Sequence, residues 1–213
     1  EPPASSVPEK ENPLIVNGVL KSYDTGNQKE IVLPSGKFTR IDSGCFKNNT
    51  TMESVSIPEG VTEIGFASFA QCYNLKSVKL PKSLVKIEQS AFSGCVALQK
   101  IEYPRNARLE LCNYAFGETG LIELNLPENV VLKDECVFAN CGKLTKVRVE
   151  IKGGIRSLTF AGCTSLKTVF LGKGVSAIED YAFDNCSSLS EINYEGDNKE
   201  IQKKVDQLLE KQN

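Results

Sequence analysis

Residues 91–104 read AFSGCVALQKIEYP, and the same short sentence returns as FAQCYNLKSVKLP (69–81), FANCGKLTKVRVE (138–150), FAGCTSLKTVFLG (160–172) and FDNCSSLSEINYE (183–195). Aligned on the phenylalanine, Phe46, Phe69, Phe92, Phe116, Phe138, Phe160 and Phe183 are separated by 23, 23, 24, 22, 22 and 23 residues. Seven copies at a nearly fixed period are an internal repeat, which decides the architecture before any other reading. After each phenylalanine comes an apolar triplet at fixed offset, as in Leu75, Val78, Leu80 or Leu144, Val147, Val149, giving the template L-x-x-[VI]-x-[LI].

The last two apolar positions of the triplet alternate with polar ones, the period of a strand, and β-branched residues dominate the middle site. One short strand per turn is therefore expected. Pro58, Pro81, Pro104 and Pro127 close these strands by removing a ladder donor where pairing should stop. A second apolar pair follows, as in Val61 and Ile64, Leu84 and Ile87, or Val175 and Ile178, before the chain returns to the next phenylalanine. A single unit of this kind has nothing to cover its apolar side and is stable only when stacked on neighbours.

A period of 20–29 residues with an L-x-x-L-x-L-like strand is the signature of a leucine-rich repeat. More narrowly, the turns from Asn17 to Tyr194 resemble the BspA-type, or Treponema pallidum-type, leucine-rich repeat family, whose unit runs approximately A-F-x-x-C-x-x-L-x-x-I-x-[LI]-P-x-x-[VL]-x-x-I. Residues 17–42, NGVLKSYDTGNQKEIVLPSGKFTRID, look like that family's opening turn. The resemblance implies an α/β fold: a right-handed leucine-rich-repeat solenoid with short parallel strands on its concave face, an irregular convex side and a C-terminal capping helix. Three turns depart from the pattern: GETG follows Phe116 where a cysteine is expected, Lys133 stands at an isoleucine position, and EIKGGIRSLTF is one residue short. Irregular convex loops are expected there.

Three segments follow. Residues 1–13, rich in Pro, Ser and Glu, read as a flexible leader; residues 14–196 are the solenoid of about seven turns; residues 197–213 supply the lid that an open stack needs over its last apolar cross-section. Asp197 and Glu200 have capping-box spacing, and Ile201, Val205, Leu208 and Leu209 recur as on an amphipathic helix. Five of the eight cysteines, Cys72, Cys95, Cys141, Cys163 and Cys186, sit three residues after a ladder phenylalanine. Equivalent atoms on stacked turns lie ~4.8 Å apart with parallel side chains, unlike the inclined ~3.8 Å Cβ pair of a disulfide, which favours buried free thiols. Cys45, Cys112 and Cys136 lie off this ladder.

The 25 basic and 27 acidic residues give a formal charge of −2, without the basic excess of a nucleic-acid binder. No apolar run reaches the ~18 residues of a membrane span. There is no histidine and no C-x-x-C, so neither the commonest general base nor a zinc pattern is present; no cofactor or metal site is expected. The x positions of the strands form two outward columns: Ser54, Ser77, Lys100, Glu123, Lys146, Thr168, Glu191 and Ser56, Lys79, Glu102, Asn125, Arg148, Phe170, Asn193. Glu102 and Glu123 form the one carboxylate pair to weigh for glycosidase-like work, but the surrounding lysines and arginine favour ionised carboxylates. Phe170 occupies an outward position where other turns carry polar residues. With Arg148 beside it and Asn125, Lys146, Thr168 and Asn193 around it, it marks the candidate ligand-binding cluster.

Three function classes remain open: a binding module, a structural stalk or spacer, and, a distant third, a glycan hydrolase, which would need a deep pocket with convergent acids. The resemblance favours the first, because BspA-like proteins are similar to exported, surface-attached proteins of bacteria and some parasitic protists, often linked to adhesion. It implies a monomeric, non-enzymatic module at the cell surface or outside the cell. Its partner would be a protein or glycan on a host or neighbouring cell, and attachment could run through a lipid on a removed N-terminal segment.

Overall fold

The structure is a computed structural model that describes residues 12–105 and 108–210. Apart from residues 12 and 13, the expected leader lies outside the described residues. The chain opens with an antiparallel hairpin of β1 (Leu14–Val16) and β2 (Val19–Ser22) and then coils through about eight turns. β3 (Glu30–Val32) and β4 (Arg40–Ile41) are the two sides of the first turn; β5 (Ser54–Ser56) with β6 (Glu63–Ile64), and β7 (Ser77–Lys79) with β8 (Lys86–Ile87), repeat it. The fourth turn contributes only β9 (Leu109–Leu111). β10 (Glu123–Leu126) with β11 (Val130–Leu132), β12 (Lys146–Val149) with β13 (Gly153–Ile155), β14 (Thr168–Leu171) with β15 (Val175–Ile178), and β16 (Glu191–Tyr194) complete the coil before α1 (Lys199–Glu210).

On the concave face the strands pair in parallel as β3-β5-β7 and as β10-β12-β14-β16. The second apolar pair of each unit builds a ladder of its own, β2-β4-β6-β8-β9-β11, to which β1 adds at one edge, and a separate pair, β13-β15. The chain therefore has two laddered sides, and the irregular side is the run of tight turns that carries the phenylalanine. Two departures expected to be loops are strands: Val130 and Leu132 alternate inward beside Leu109 and Leu111, so Lys133 simply falls past the strand end. Ile155 pairs with Ile178, with a register shift at Gly153 and Gly154 absorbing the missing residue. The third, GETG, closes its turn through Thr119, whose hydroxyl donates to the Phe116 carbonyl at 3.0 Å. Gly120 next to it packs so close to the Val96 carbonyl that a Cβ would collide with it.

The phenylalanines are the spine. Phe46, Phe69, Phe92, Phe116, Phe138, Phe160 and Phe183 stack nearly parallel with centroids 4.8 to 5.6 Å apart, and Tyr23 covers the first ring at 6.0 Å. Each turn is also pinned to the next through the backbone: Phe69 N–H donates to the Ala91 carbonyl (2.8 Å), Phe92 to Ala115 (2.9 Å) and Phe160 to Ala182 (2.8 Å). Ala, Ser or Cys precedes five of the seven rings, and Val137 and Thr159 precede the other two. Two left-handed positions flank every ring: Gly44, Ala67, Ser90, Tyr114, Cys136, Leu158 and Tyr181 two residues before it, and Asn48, Gln71, Gly94, Glu118, Asn140, Gly162 and Asn185 two residues after. Glycine and asparagine recur in the second set because they enter this region at least cost.

All eight cysteines are free. The ladder thiols do more than fill space: Cys72, Cys95, Cys141, Cys163 and Cys186 donate to the carbonyls of Phe46, Phe69, Phe116, Phe138 and Phe160, one turn back, at 3.1 to 3.3 Å. Native thiol titration should leave these five unmodified until unfolding, because reaction needs an exposed thiolate; rapid native modification of all five would contradict the packing. Burial also pushes Cys45 and Cys186 from 9.0 up to about 12, and Cys112 to about 11. The folded chain then holds these protons more tightly than the unfolded one, so stability is full below pH 9 and falls as pH rises toward 11 to 12. A urea midpoint that rose across that range would reverse the sign.

α1 closes the C-terminal end. Ile201 and Val205 are buried, and Leu208 and Leu209 pack partly buried against the core. Its cap is not the expected Asp197 and Glu200 box but Asn198, one residue on, whose Oδ1 accepts from the main-chain N–H of Glu200 at 3.0 Å and Ile201 at 3.4 Å. Asn and Asp cap equally well, so the register of the buried face decides which one does.

Candidate ligand-binding face

The concave sheet is interrupted once. Where a strand is expected after Leu98, residues 100–103 belong to no ladder, and β7 and β10 are left as edges on either side. The spacing from Phe92 to Phe116 is the one interval of 24 residues, and Tyr103 fills a slot that takes Ile57, Leu80, Leu126, Val149 or Leu171 elsewhere and a second tyrosine, Tyr194, in the last turn. Its ring is buried edge-on to Phe116 at 5.9 Å and 88°. The extra residue of this interval falls between Pro104 and Phe116, next to the open stretch, and the tyrosine alone does not break the ladder, because Tyr194 in the same slot stays paired with Leu171. A groove of about 800 Å³ opens at the interruption, with Lys100, Arg105, Lys146, Arg148, Glu102 and Glu123 among its lining side chains.

Downstream, register holds. Asn125, Arg148, Phe170 and Asn193 face one another in one column, and Glu123, Lys146, Thr168 and Glu191 in the other. Phe170 is half-buried under two cations: Lys146 Nζ lies 5.2 Å and Arg148 Cζ 5.1 Å from its centroid. Such a contact is worth about 0.5–1 kcal/mol at an exposed site. Arg148 Nη1 also donates to Glu150 Oε1 at 2.6 Å and to Glu195 Oε1 at 3.3 Å, and these carboxylates raise its already high pKa. Thr168 Oγ1 and Asn193 Nδ2 donate to the two oxygens of Glu191, at 3.2 and 2.9 Å. Asn125, Lys146 and Arg148 thus reach the groove, while Phe170, Thr168 and Asn193 continue the face away from it.

Glu150, Glu191 and Glu195 order this cluster and were not singled out from sequence. A signal was present for two of them: Glu150 and Glu195 stand where four other turns place the closing proline. Each N–H is consequently free to donate, to the Leu126 carbonyl at 2.8 Å and the Leu171 carbonyl at 2.9 Å, extending the ladder by one bond. The Glu102 carboxylate is hydrogen-bonded by Lys100 at 2.6 Å, which holds it below the usual carboxylate range. It is ionised at neutral pH, whereas a general acid must keep its proton. Among the described residues no group of three Cys, Asp or Glu is arranged to hold a metal ion, and no helix is long and apolar enough to cross a membrane.

Comparison with known proteins places this geometry. A family model described as the BspA type leucine rich repeat region matches residues 21–145 and 109–206, in six copies. Among solved structures, the T. pallidum leucine rich repeat protein is similar with a TM-score of 0.71 and 25% identity, over 89% of this chain and 87% of that one. A leucine-rich repeat protein from Bacteroides ovatus superposes with a TM-score of 0.68 at 24% identity, covering 84% of this chain and 50% of that one. The pneumococcal vaccine antigen PcpA gives 0.52 at 20% identity, covering 89% of this chain and 42% of its own. The chain thus spans about half the length, or less, of two of these proteins. No curated protein matches it. With a repeat model covering the chain from the opening turn into the terminal helix, and a solenoid of the same kind beneath it, this chain belongs to the BspA-type leucine-rich repeat family.

Proposed function

We propose that this chain is a non-enzymatic binding module exposed at a cell surface, where the concave face around Arg148 and Phe170 contacts a protein or glycan of another cell. The binding unit is the solenoid of residues 14–196, with residues 197–213 as its lid. The family supports an interaction or structural role, and a similarly folded protein is a vaccine antigen, a use that suits a surface location. The observation that carries the reading is Phe170 itself: an aromatic ring held in an otherwise polar column by two cations, with hydrogen-bonding groups on both neighbouring strands. Arginine and aromatic side chains are the types enriched where binding energy concentrates.

The test is an array of surface proteins and glycans probed with the labelled chain. Phe170→Ala and Arg148→Ala should each weaken the specific signals by ~1 kcal/mol or more while the melting temperature stays nearly unchanged, and Lys79→Ala should do neither. The bonds from Arg148 to Glu150 and Glu195 give the rival reading, a spacer in which the stack only ties strand ends together. That reading predicts a lowered melting temperature in Arg148→Ala and no change in any array signal.

A further inference from the structure

The groove at the interrupted turn has a chemistry of its own. Four cations and two carboxylates are among its lining side chains, although the chain as a whole carries a formal charge of −2. Lys100 is paired with Glu102, and Arg148 with Glu150 and Glu195. Arg105 and Lys146 have no ion-pair partner among the described residues, and Lys79, on the adjoining stretch of the same face, has none either. Glu123, in register with Lys146, carries a fourth carboxylate beside Glu102, Glu150 and Glu195, so these five cations exceed the carboxylates by one, and the cations without an ion pair among the described residues are Arg105, Lys146 and Lys79.

The floor is equally specific. Ile101 and Tyr103 turn their side chains into the core, at 7% and 8% exposure, so what they present to the groove is main chain. None of the N–H and C=O groups of Lys100, Ile101, Glu102 and Tyr103 has a hydrogen-bond partner among the described residues, whereas the equivalent segments β5, β12 and β14 are bonded on both sides and every other concave strand on one. Main-chain polar groups require partners, and those outside secondary structure take them from solvent or from a ligand. Beside this floor the side chain of Ile122 is 41% exposed on the rim.

We propose that this groove takes an extended acidic segment of a partner polypeptide, a conclusion that rests on the concave face being the binding face. A polypeptide offers what the groove lacks: alternating donors and acceptors every ~3.3 Å for the unpaired main chain, with side chains of one face repeating every second residue. Acidic residues on one face meet Arg105 and Lys146, and apolar residues between them meet Ile122. An acidic polysaccharide would answer the charge but carries no main-chain repeat of N–H and C=O groups, so the peptide fits more of the observations.

Fluorescence anisotropy on the whole chain tests this with three probes: a labelled peptide alternating Glu and Val, a peptide of equal charge alternating Glu and Pro, and polygalacturonate. Proline removes every second N–H donor at constant charge. The Glu-Val peptide should bind saturably, and the Glu-Pro peptide at least about tenfold more weakly. The double variant Arg105→Glu with Lys146→Glu should lose about tenfold or more, a shift of ~1.4 kcal/mol. Lys47→Glu, the same charge change on the turn side, should stay within about twofold of the parent. Absence of saturable binding, equal binding of the two peptides, equal loss in Lys47→Glu, or tighter binding of polygalacturonate would each overturn the acidic-peptide assignment. If the assignment fails while Phe170→Ala still weakens the array signals, the concave-face reading survives without it. If the array signals ignore Phe170→Ala and Arg148→Ala, it is the functional reading that falls.

Discussion

Phe92→Ala is expected to destabilise the solenoid by about 3–5 kcal/mol, the largest effect of any single truncation considered. Phe92 is fully buried, with rings above and below at 5.1 and 5.2 Å, so its loss opens a cavity shared by three turns and interrupts the stack. A repeat array depends on nearest-neighbour interfaces, and the change should therefore also separate urea unfolding of the turns on either side. Tyr181→Ala is the control: that ring is 68% exposed on the turn side and its removal should stay within about 0.5 kcal/mol. Equal losses in the two variants would mean that the ladder position is not the core.

The second large effect concerns the lid. Ile201→Ala combined with Val205→Ala removes the two residues of α1 that are most deeply buried, at 3% and 1% exposure, and should cost about 3 kcal/mol or more. Those side chains cover the apolar end of the last turn, next to β15 and β16. A free cross-section associates, so light scattering should also report dimers or larger species. Unchanged melting together with an unchanged monomer fraction would make α1 an appendage.

What could be read from sequence and what could not divides along periodicity. The ring ladder, the thiol positions and the two outward columns were legible because each sits at a fixed offset, the ring in all seven turns and the thiol in five of them, and the columns follow from the strand period alone. The second ladder was harder, since Val61 and Ile64 or Leu84 and Ile87 give only two-residue strands, too short to show alternation. The interruption at Lys100 to Tyr103 was marked in sequence only by the 24-residue interval, since Tyr194, the same residue in the same slot, stays paired. Its consequence, a strand lost from the sheet, depends on how Tyr103 packs against Phe116. In the candidate cluster, sequence placed Arg148 beside Phe170 correctly in register. It missed the carboxylates that hold Arg148, because a strand template assigns no meaning to the residue after its last position.

Two of the three departing turns show the same limit from the other side. Lys133 and the shortened segment before Phe160 break the consensus, yet Val130 to Leu132 and Gly153 to Ile155 still pair, because ladder formation asks only for inward apolar residues and free main-chain groups. Consensus marks where a turn is regular. It does not mark where a turn must fail.

The most direct test of this account is residue-resolved amide hydrogen exchange across the concave face. The account predicts that the ladder amides of β12 and β14 exchange only through opening of the stack, while the amides of Lys100, Ile101, Glu102 and Tyr103 exchange near their intrinsic rates, an unprotected window in the middle of an otherwise protected face. Protection at those four residues equal to that in β12 would mean that the sheet is continuous, and the groove with its open main chain would not exist.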